Sequence, residues 1–210
     1  MRTRIYLSKD RTRNFVLFYR ASSVFSNFHP AEFIASPMEQ LLKNTKIKSR
    51  QLQFSCSEQY FMYHKAIFVG DEDIADRILT ESDPKEMKML GRMLEMSEEQ
   101  FEKWTEISRD VMFHACLEKF SQNEKCRKFL FRTHGMNLAE ASPTDKIWGI
   151  GLDSADKRCE DPKLWRGKNW LGEVLDRVRE ELWDKKEYKK ERDQIEQESL
   201  EVRCKKLENC

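Results

Sequence analysis

Apolar residues along this chain recur mostly at helical spacing, and polar caps mark where the helices start. The segment CSEQYFMYHKAIFVG at 56–70 predicts a helix, with Ser57 to cap it and Gly70 to stop it. A short helix is expected over 71–80, capped by Asp71, and another from Asp83–Pro84, with Glu86 completing a capping box. Gly91–Arg92 is expected to interrupt or end that helix. The longest helix is expected over 97–121: Ser97 and Gln100 form a capping box, and Phe101, Trp104, Ile107, Val111 and Ala115 form its apolar stripe. Two more are expected, at 124–133 and at 171–183, the latter packing through Leu171, Val174, Leu175, Val178 and Leu182. Strand signals are few. NFVLFY at 14–19 reads as a buried strand, and Leu138–Ala139–Glu140–Ala141 alternates loosely until Pro143, which has no N–H to give a ladder.

The connecting segments differ in character. Residues 21–33 form a loop packed by three phenylalanines, while 39–53 is polar and lysine-rich and is expected to be a surface hairpin or loop. A charged loop is expected at 152–162. Residues 1–13 are basic and expected to fray. Residues 184–210 are expected to be a charged helical or partly disordered tail, available to contact another chain. The domain boundaries expected are therefore 1–13, 14–183 and 184–210.

Composition removes several function classes. Charged residues are 36% of the chain but the net charge is +1, so no broad basic field draws in nucleic acid or membrane. No apolar run approaches the ~20 residues needed to span a bilayer, and the start lacks an apolar leader. A cytoplasmic or nuclear protein is expected. The six cysteines form no CxxC pair and none stands beside a histidine at zinc-ligand spacing. No metal and no cofactor is expected.

Three stretches carry candidate chemistry. In NLAEASPTDKIWGIG, at 137–151, Asp145, Trp148 and the Gly149–Ile150–Gly151 turn offer a carboxylate, a flat ring and backbone N–H groups. The same residues also suit a tight turn with a surface Asp and a core Trp. On the 56–70 helix, Glu58, Met62 and Lys65 share one face, and the two charged chains could reach opposite ends of a small substrate. A first-turn Glu and a solvated Lys also suit any helix. In WRGKNWLG, at 165–172, Gly167 and Gly172 bracket Asn169, and the following helix start is a candidate anion seat or an ordinary junction.

In order, these pieces resemble the NADAR (YbiA-like) family of N-glycosidases. The matching residues are Phe25–Ser26–Asn27–Phe28, Ser57–Glu58–Gln59–Tyr60–Phe61 with Lys65, Leu90–Gly91–Arg92, Trp104 with Arg109, and Lys119–Phe120. They continue through Glu140–Ala141–Ser142–Pro143, Asp145 with Trp148–Gly149–Ile150–Gly151, and Gly167, Asn169 and Leu171–Gly172. The resemblance implies a compact, single-domain, predominantly α-helical α+β fold with a few short strands. It also implies hydrolysis of an N-glycosidic bond between ribose and a heterocycle. The expected substrate is ADP-ribosylated guanine, in a nucleotide or nucleic acid; phosphorylated intermediates of riboflavin synthesis are the alternative, and a non-catalytic ADP-ribose-binding module is a third reading. Glu58, Lys65 and Asp145 are the expected catalytic residues. Arg20, Asn27, Phe28, Tyr60, Arg92, Trp104, Trp148, Gly149, Asn169 and Gly172 are the expected substrate contacts. Gln59 stands where some members carry histidine, so no imidazole beside Glu58 takes part here.

Overall fold

A computed structural model describes residues 3–10, 13–44 and 50–210. It is predominantly helical α+β, as expected, and its residues cluster into two units: Met1–His29 with Glu124–Cys210, and Pro30–Asn123. No described helix is long and apolar enough to cross a membrane.

The first unit is built on a three-stranded sheet in the order β1 (Arg4–Leu7), β2 (Asn14–Phe18), β5 (Asn137–Glu140). β2 pairs antiparallel with β1 and parallel with β5, with Phe18 opposite Glu140. The central strand is buried on both faces, which explains its unbroken apolar run. On one side Phe15, Leu17, Ala139, Ala141, Ile150 and Leu152 make one core cluster, with Trp165 packed against it. The expected fraying of residues 1–13 is corrected at Arg4–Leu7, which form β1; residues 1–2 and 11–12 lie outside the described residues. Arg4 fixes that strand by donating to the Ser154 carbonyl at 2.6 Å and to Glu160 at 2.5 Å.

Helices α5 (Glu124–Arg132) and α6 (Trp170–Trp183) belong to the same unit. Beyond them the tail forms α7 (Lys189–Glu196) and α8 (Leu200–Leu207). Its few apolar residues are placed to count, since Ile195 and Leu207 are both buried. Ion pairs from Arg127 to Glu191 and from Arg132 to Glu198 tie it to α5.

The second unit centres on α1 (Ser57–Val69). Around it lie α2 (Glu72–Thr80), α3 (Pro84–Met93), α4 (Glu98–Gln122) and a small antiparallel sheet of β3 (Phe33–Ala35) with β4 (Leu52–Phe54). The 39–53 segment is therefore partly a 3-10 turn, Glu39–Asn44, and partly strand; residues 45–49 lie outside the described residues. Asp71, Asp83 and the Ser97–Gln100 box cap α2, α3 and α4 as expected, but Glu86 completes no box on α3: Asp83 accepts from Lys85 N, and Asp83 N donates to Glu81 Oε1 at 2.9 Å.

Three local expectations are corrected. Cys56, not Ser57, is the N-cap of α1, without a side-chain cap bond, because Ser57 is already helical. Gly91 does not end α3, which runs to Met93; a Cβ there would lie 2.1 Å from Met62 Sδ, so the glycine permits close packing on α1. Phe101 is 60% exposed, because the buried stripe of α4 starts at Trp104 and includes Ser108 and Lys119, polar residues that an apolar pattern passes over.

Candidate active site

The candidate residues fall in both units, and each group has its own geometry. In the second unit, Glu58 and Lys65 are seven positions apart on α1, which rotates them by only about 20° around the axis. Glu58 is 4% exposed and lies in the first turn, where the helix dipole favours a carboxylate. Lys65 is half-buried and its Nζ donates to the Gly91 carbonyl at 2.6 Å. Burial, and then the charge of Arg92, lowers the Lys65 pKa below its ordinary value, while Glu58 acts in the opposite sense. An amine held in this way carries a larger neutral fraction near neutral pH than a solvated lysine does. Arg92 itself is exposed, on the last turn of α3.

Gln59, next to Glu58, is part of the frame. Its Oε1 accepts from Ser55 N at 2.7 Å, and its Nε2 donates to the carbonyls of Ile78, Leu79 and Glu81. One amide thus pins the start of α1 to the end of α2, and this position has no proton to exchange at neutral pH. Two expected contacts point elsewhere. Trp104 is 6% exposed and packs against Phe61 and Phe68 at centroid distances of 5.3 and 5.5 Å, as a core side chain. Tyr60 lies about 200° around α1 from Glu58, stacked on His64 at 3.9 Å and edged by Phe54.

Lys119 was not among the expected site residues, yet it is 1% exposed. It lowers the pKa of the Cys56 thiol, while Glu58 raises it, although burial dominates the net upward shift. A buried lysine is rare enough to mark a functional or ion-paired position. Its signal in the sequence is a lysine sitting between Cys116 and Phe120 on the buried stripe of α4.

In the first unit, the two glycine-bearing motifs fold into one knot. Asp145 Oδ1 accepts from the N–H groups of Ile147 at 3.0 Å and Trp148 at 2.9 Å, and Asp145 N donates to Ser142 Oγ. This is an Asx turn that presents Trp148, whose ring meets Trp170 edge-on at 5.8 Å. Asn169 is buried with φ 58°, its Oδ1 accepting from Glu140 N and its Nδ2 donating to the Leu138 carbonyl, both at 3.0 Å. Of the two readings of the start of α6, the ordinary junction fits: the N–H groups of Asn169, Trp170 and Leu171 donate to the carbonyls of Gly149, Ile147 and Trp148. Of the N–H groups expected to be offered by the Gly149–Ile150–Gly151 turn, that of Ile150 donates to the Glu140 carbonyl at 2.9 Å.

Close approach explains the glycines. A Cβ on Gly149 would lie 2.9 Å from the Glu140 carbonyl, one on Gly167 2.2 Å from the Gly149 carbonyl, and one on Gly172 2.1 Å from the Leu138 carbonyl. Of the Gly149–Ile150–Gly151 turn, only Gly151 has positive φ, at 69°.

The loop after β2 completes this unit's set. Successive turns, Ser23 N to Arg20 O, Ser26 N to Ser23 O and His29 N to Ser26 O, wind it, with Phe25 buried against Phe18. Asn27 is buried and Phe28 half-buried within it. Arg20 is exposed and holds φ 70°. Among the described residues, Arg20 and Asn169 are the two non-glycine positions with positive φ, a costly state that tends to persist where function or a tight frame demands it.

Protein irg-1 of Caenorhabditis elegans is 64% identical over 209 residues, spanning 100% of this chain and 99% of that protein. N-glycosidase R617 of Acanthamoeba polyphaga mimivirus is 32% identical over 176 residues, covering 81% of this chain and 97% of the viral protein. The NMR structure of the E. coli protein YbiA matches with a TM-score of 0.58 at 25% identity, covering 80% of this chain and 84% of that one. The NADAR domain matches residues 17–183, from β2 to the last residue of α6, and this chain belongs to the NADAR domain family.

Proposed function

We propose that the chain is a hydrolase of N-glycosidic bonds that removes ADP-ribose from guanine, with Lys65 as nucleophile and Glu58 as the carboxylate beside it. The observation that supports this reading best is the amine of Lys65, drawn into a half-buried site next to a buried carboxylate and a second cation. The viral relative named as an N-glycosidase supports the reaction class.

The chemistry follows from those groups. The bond from the ribosyl anomeric carbon to the base nitrogen breaks as a bond from Lys65 Nζ to that carbon forms. The departing base takes up a proton from water. Positive charge develops at the anomeric carbon, and the Glu58 carboxylate stabilises it and accepts the proton released by the amine. Opening of the ribose ring leaves an imine on Lys65, and water hydrolyses it to free sugar and free amine. The exposed Arg92 guanidinium suits the substrate's phosphates.

Incubation with ADP-ribosylated guanosine, followed by borohydride reduction, tests this. The expected result is free guanine-bearing product together with an ADP-ribose adduct on Lys65, located by peptide mass spectrometry. Turnover without any trapped adduct would remove the covalent step and leave Lys65 as a clamp. Release of free pyrimidine from a phosphoribosyl-pyrimidine, with no release from the guanine conjugate, would move the substrate to the riboflavin-type alternative. Tight ADP-ribose binding with no turnover of either substrate would make the chain a binding module.

A further inference from the structure

The face of α1 opposite Glu58 and Lys65 borders a cavity of about 760 Å³, lined entirely by residues of the second unit. Tyr60 forms part of its wall and is only 2% exposed. The ring is fixed by its neighbours: it stacks on His64 and meets Phe54 at 5.0 Å and Phe33 at 6.0 Å. His64 is itself pinned, with Nδ1 2.7 Å from the Tyr60 carbonyl and Nε2 accepting from Met38 N at 3.1 Å. Burial, and then the nearby Glu118 charge, raises the pKa of the Tyr60 phenol, so it stays a neutral hydroxyl.

The rest of the wall has a consistent chemistry. Glu118 and Glu39 supply two carboxylates, and no lysine or arginine is among the described lining residues. Glu118 is oriented from its own helix, since Gln122 Nε2 donates to its Oε2 at 2.7 Å. Gln122 is fixed in turn by donating to the Ile34 carbonyl at 2.8 Å and accepting from Ile34 N at 2.9 Å. Met38 and the half-exposed Ile34 give the cavity an apolar flank.

From this wall we infer a second binding site, separate from the Glu58–Lys65 face, that takes an organic cation: a guanidinium or ammonium group on an aliphatic stem. The cationic head is drawn to Glu118 and Glu39 and donates to the Tyr60 hydroxyl, while the stem packs on Met38 and Ile34. A phosphate or carboxylate ligand is disfavoured, because it would meet Glu118 and Glu39 with no lysine or arginine among the described lining residues, which include His114. Two sources share this chemistry: a small diffusible amine, or an arginine or lysine side chain of a peptide.

Calorimetric titration of the full chain separates these outcomes. The probes are agmatine, a blocked arginine-containing pentapeptide and, as an anionic control without an amine, glutarate. Agmatine is expected to bind one-to-one, at least about tenfold more weakly to Glu118→Gln and several-fold more weakly to Tyr60→Phe. Lys65→Met is expected to bind it as the unaltered chain does. Both substitutions at the cavity keep size and shape, so folding is preserved, and thermal melts of each variant check this. A peptide that binds more tightly than agmatine assigns the site to a protein side chain; equal or weaker peptide binding assigns it to a small amine. Absence of agmatine and peptide heat, glutarate binding as well as agmatine, or binding indifferent to both cavity substitutions overturns the proposal.

Discussion

The knot around Asp145 and Asn169 and the face of α1 that carries Glu58 and Lys65 use polar residues in opposite ways. In the knot, the polar side chains hold backbone: Asp145 caps two N–H groups and Asn169 bridges Leu138 and Glu140. On α1, the side chains act on one another's charge: Lys65 is influenced by both Arg92 and Glu58. The motif that is most specific as text, Asp-x-x-Trp-Gly-x-Gly, is thus largely a set of instructions for a turn. The helix face, which any exposed helix could mimic, carries the stronger chemical signature.

This contrast can be broken most directly at Lys65. Lys65→Met keeps the stem and removes the amine, so turnover is expected to fall on the order of 10³-fold or more while the melting temperature stays close to that of the unaltered chain. A variant that keeps most of its turnover would take the nucleophile away from α1. Glu58→Gln is expected to lose turnover in the same way, with the helix intact.

Glycine substitutions sharpen the contrast next. In Gly172→Ala the added methyl falls 2.1 Å from a backbone carbonyl in the knot, which cannot swing aside. A stability loss of about 1–3 kcal/mol is expected, read from denaturant melts. Gly91→Ala meets the flexible end of Met62 instead, and alanine is itself the better helix former by about 1 kcal/mol. Its stability is expected to change little. Its activity is expected to change little as well, because alanine keeps the backbone carbonyl to which Lys65 donates. Equal destabilisation by the two substitutions would contradict the distinction between backbone frame and adjustable side chain.

Asp145 comes next. If its main task is the Asx turn, Asp145→Asn keeps an acceptor for Ile147 and Trp148, and turnover should stay within a few-fold of normal. Asp145→Ala leaves those N–H groups without it and should cost about 1 kcal/mol of stability. Loss of turnover in Asp145→Asn, with stability unchanged, would restore Asp145 to the chemistry.

Much of this was legible in the chain, for reasons that differ between elements. Helix caps such as Asp71, Asp83 and the Ser97–Gln100 box are local, so residue type and spacing determine them. The shared face of Glu58 and Lys65 follows from helical geometry alone. What pattern reading missed depends on partners distant in sequence. β1 is held by Ser154 and Glu160, the engagement of the α6 N–H groups depends on the 147–149 carbonyls, and Trp104 is covered by Phe61 and Phe68. Tyr60 shares the Ser57–Phe61 motif with Glu58, but two positions along a helix is more than half a turn, so the two side chains face apart.

The smallest effect is expected at Arg92, and its direction is fixed by sign. Arg92 lowers the pKa of Lys65, so the folded chain releases that proton at lower pH than the unfolded chain does. Between the two pKa values the unfolded state binds more protons, and this group's contribution makes stability rise with pH across that window. Catalysis by the neutral amine gains an acidic limb at the folded value, below the usual lysine range. Arg92→Leu removes the repelling charge, raises the Lys65 pKa and moves that limb of the kcat profile to higher pH; kcat at pH values above the limb recovers. A role for Arg92 in holding phosphate alone would instead raise KM at every pH and leave the limb in place. A limb that moves to lower pH would contradict the electrostatic coupling of Arg92 to Lys65 and, with it, the contrast between a frame in one unit and a charge-tuned face in the other.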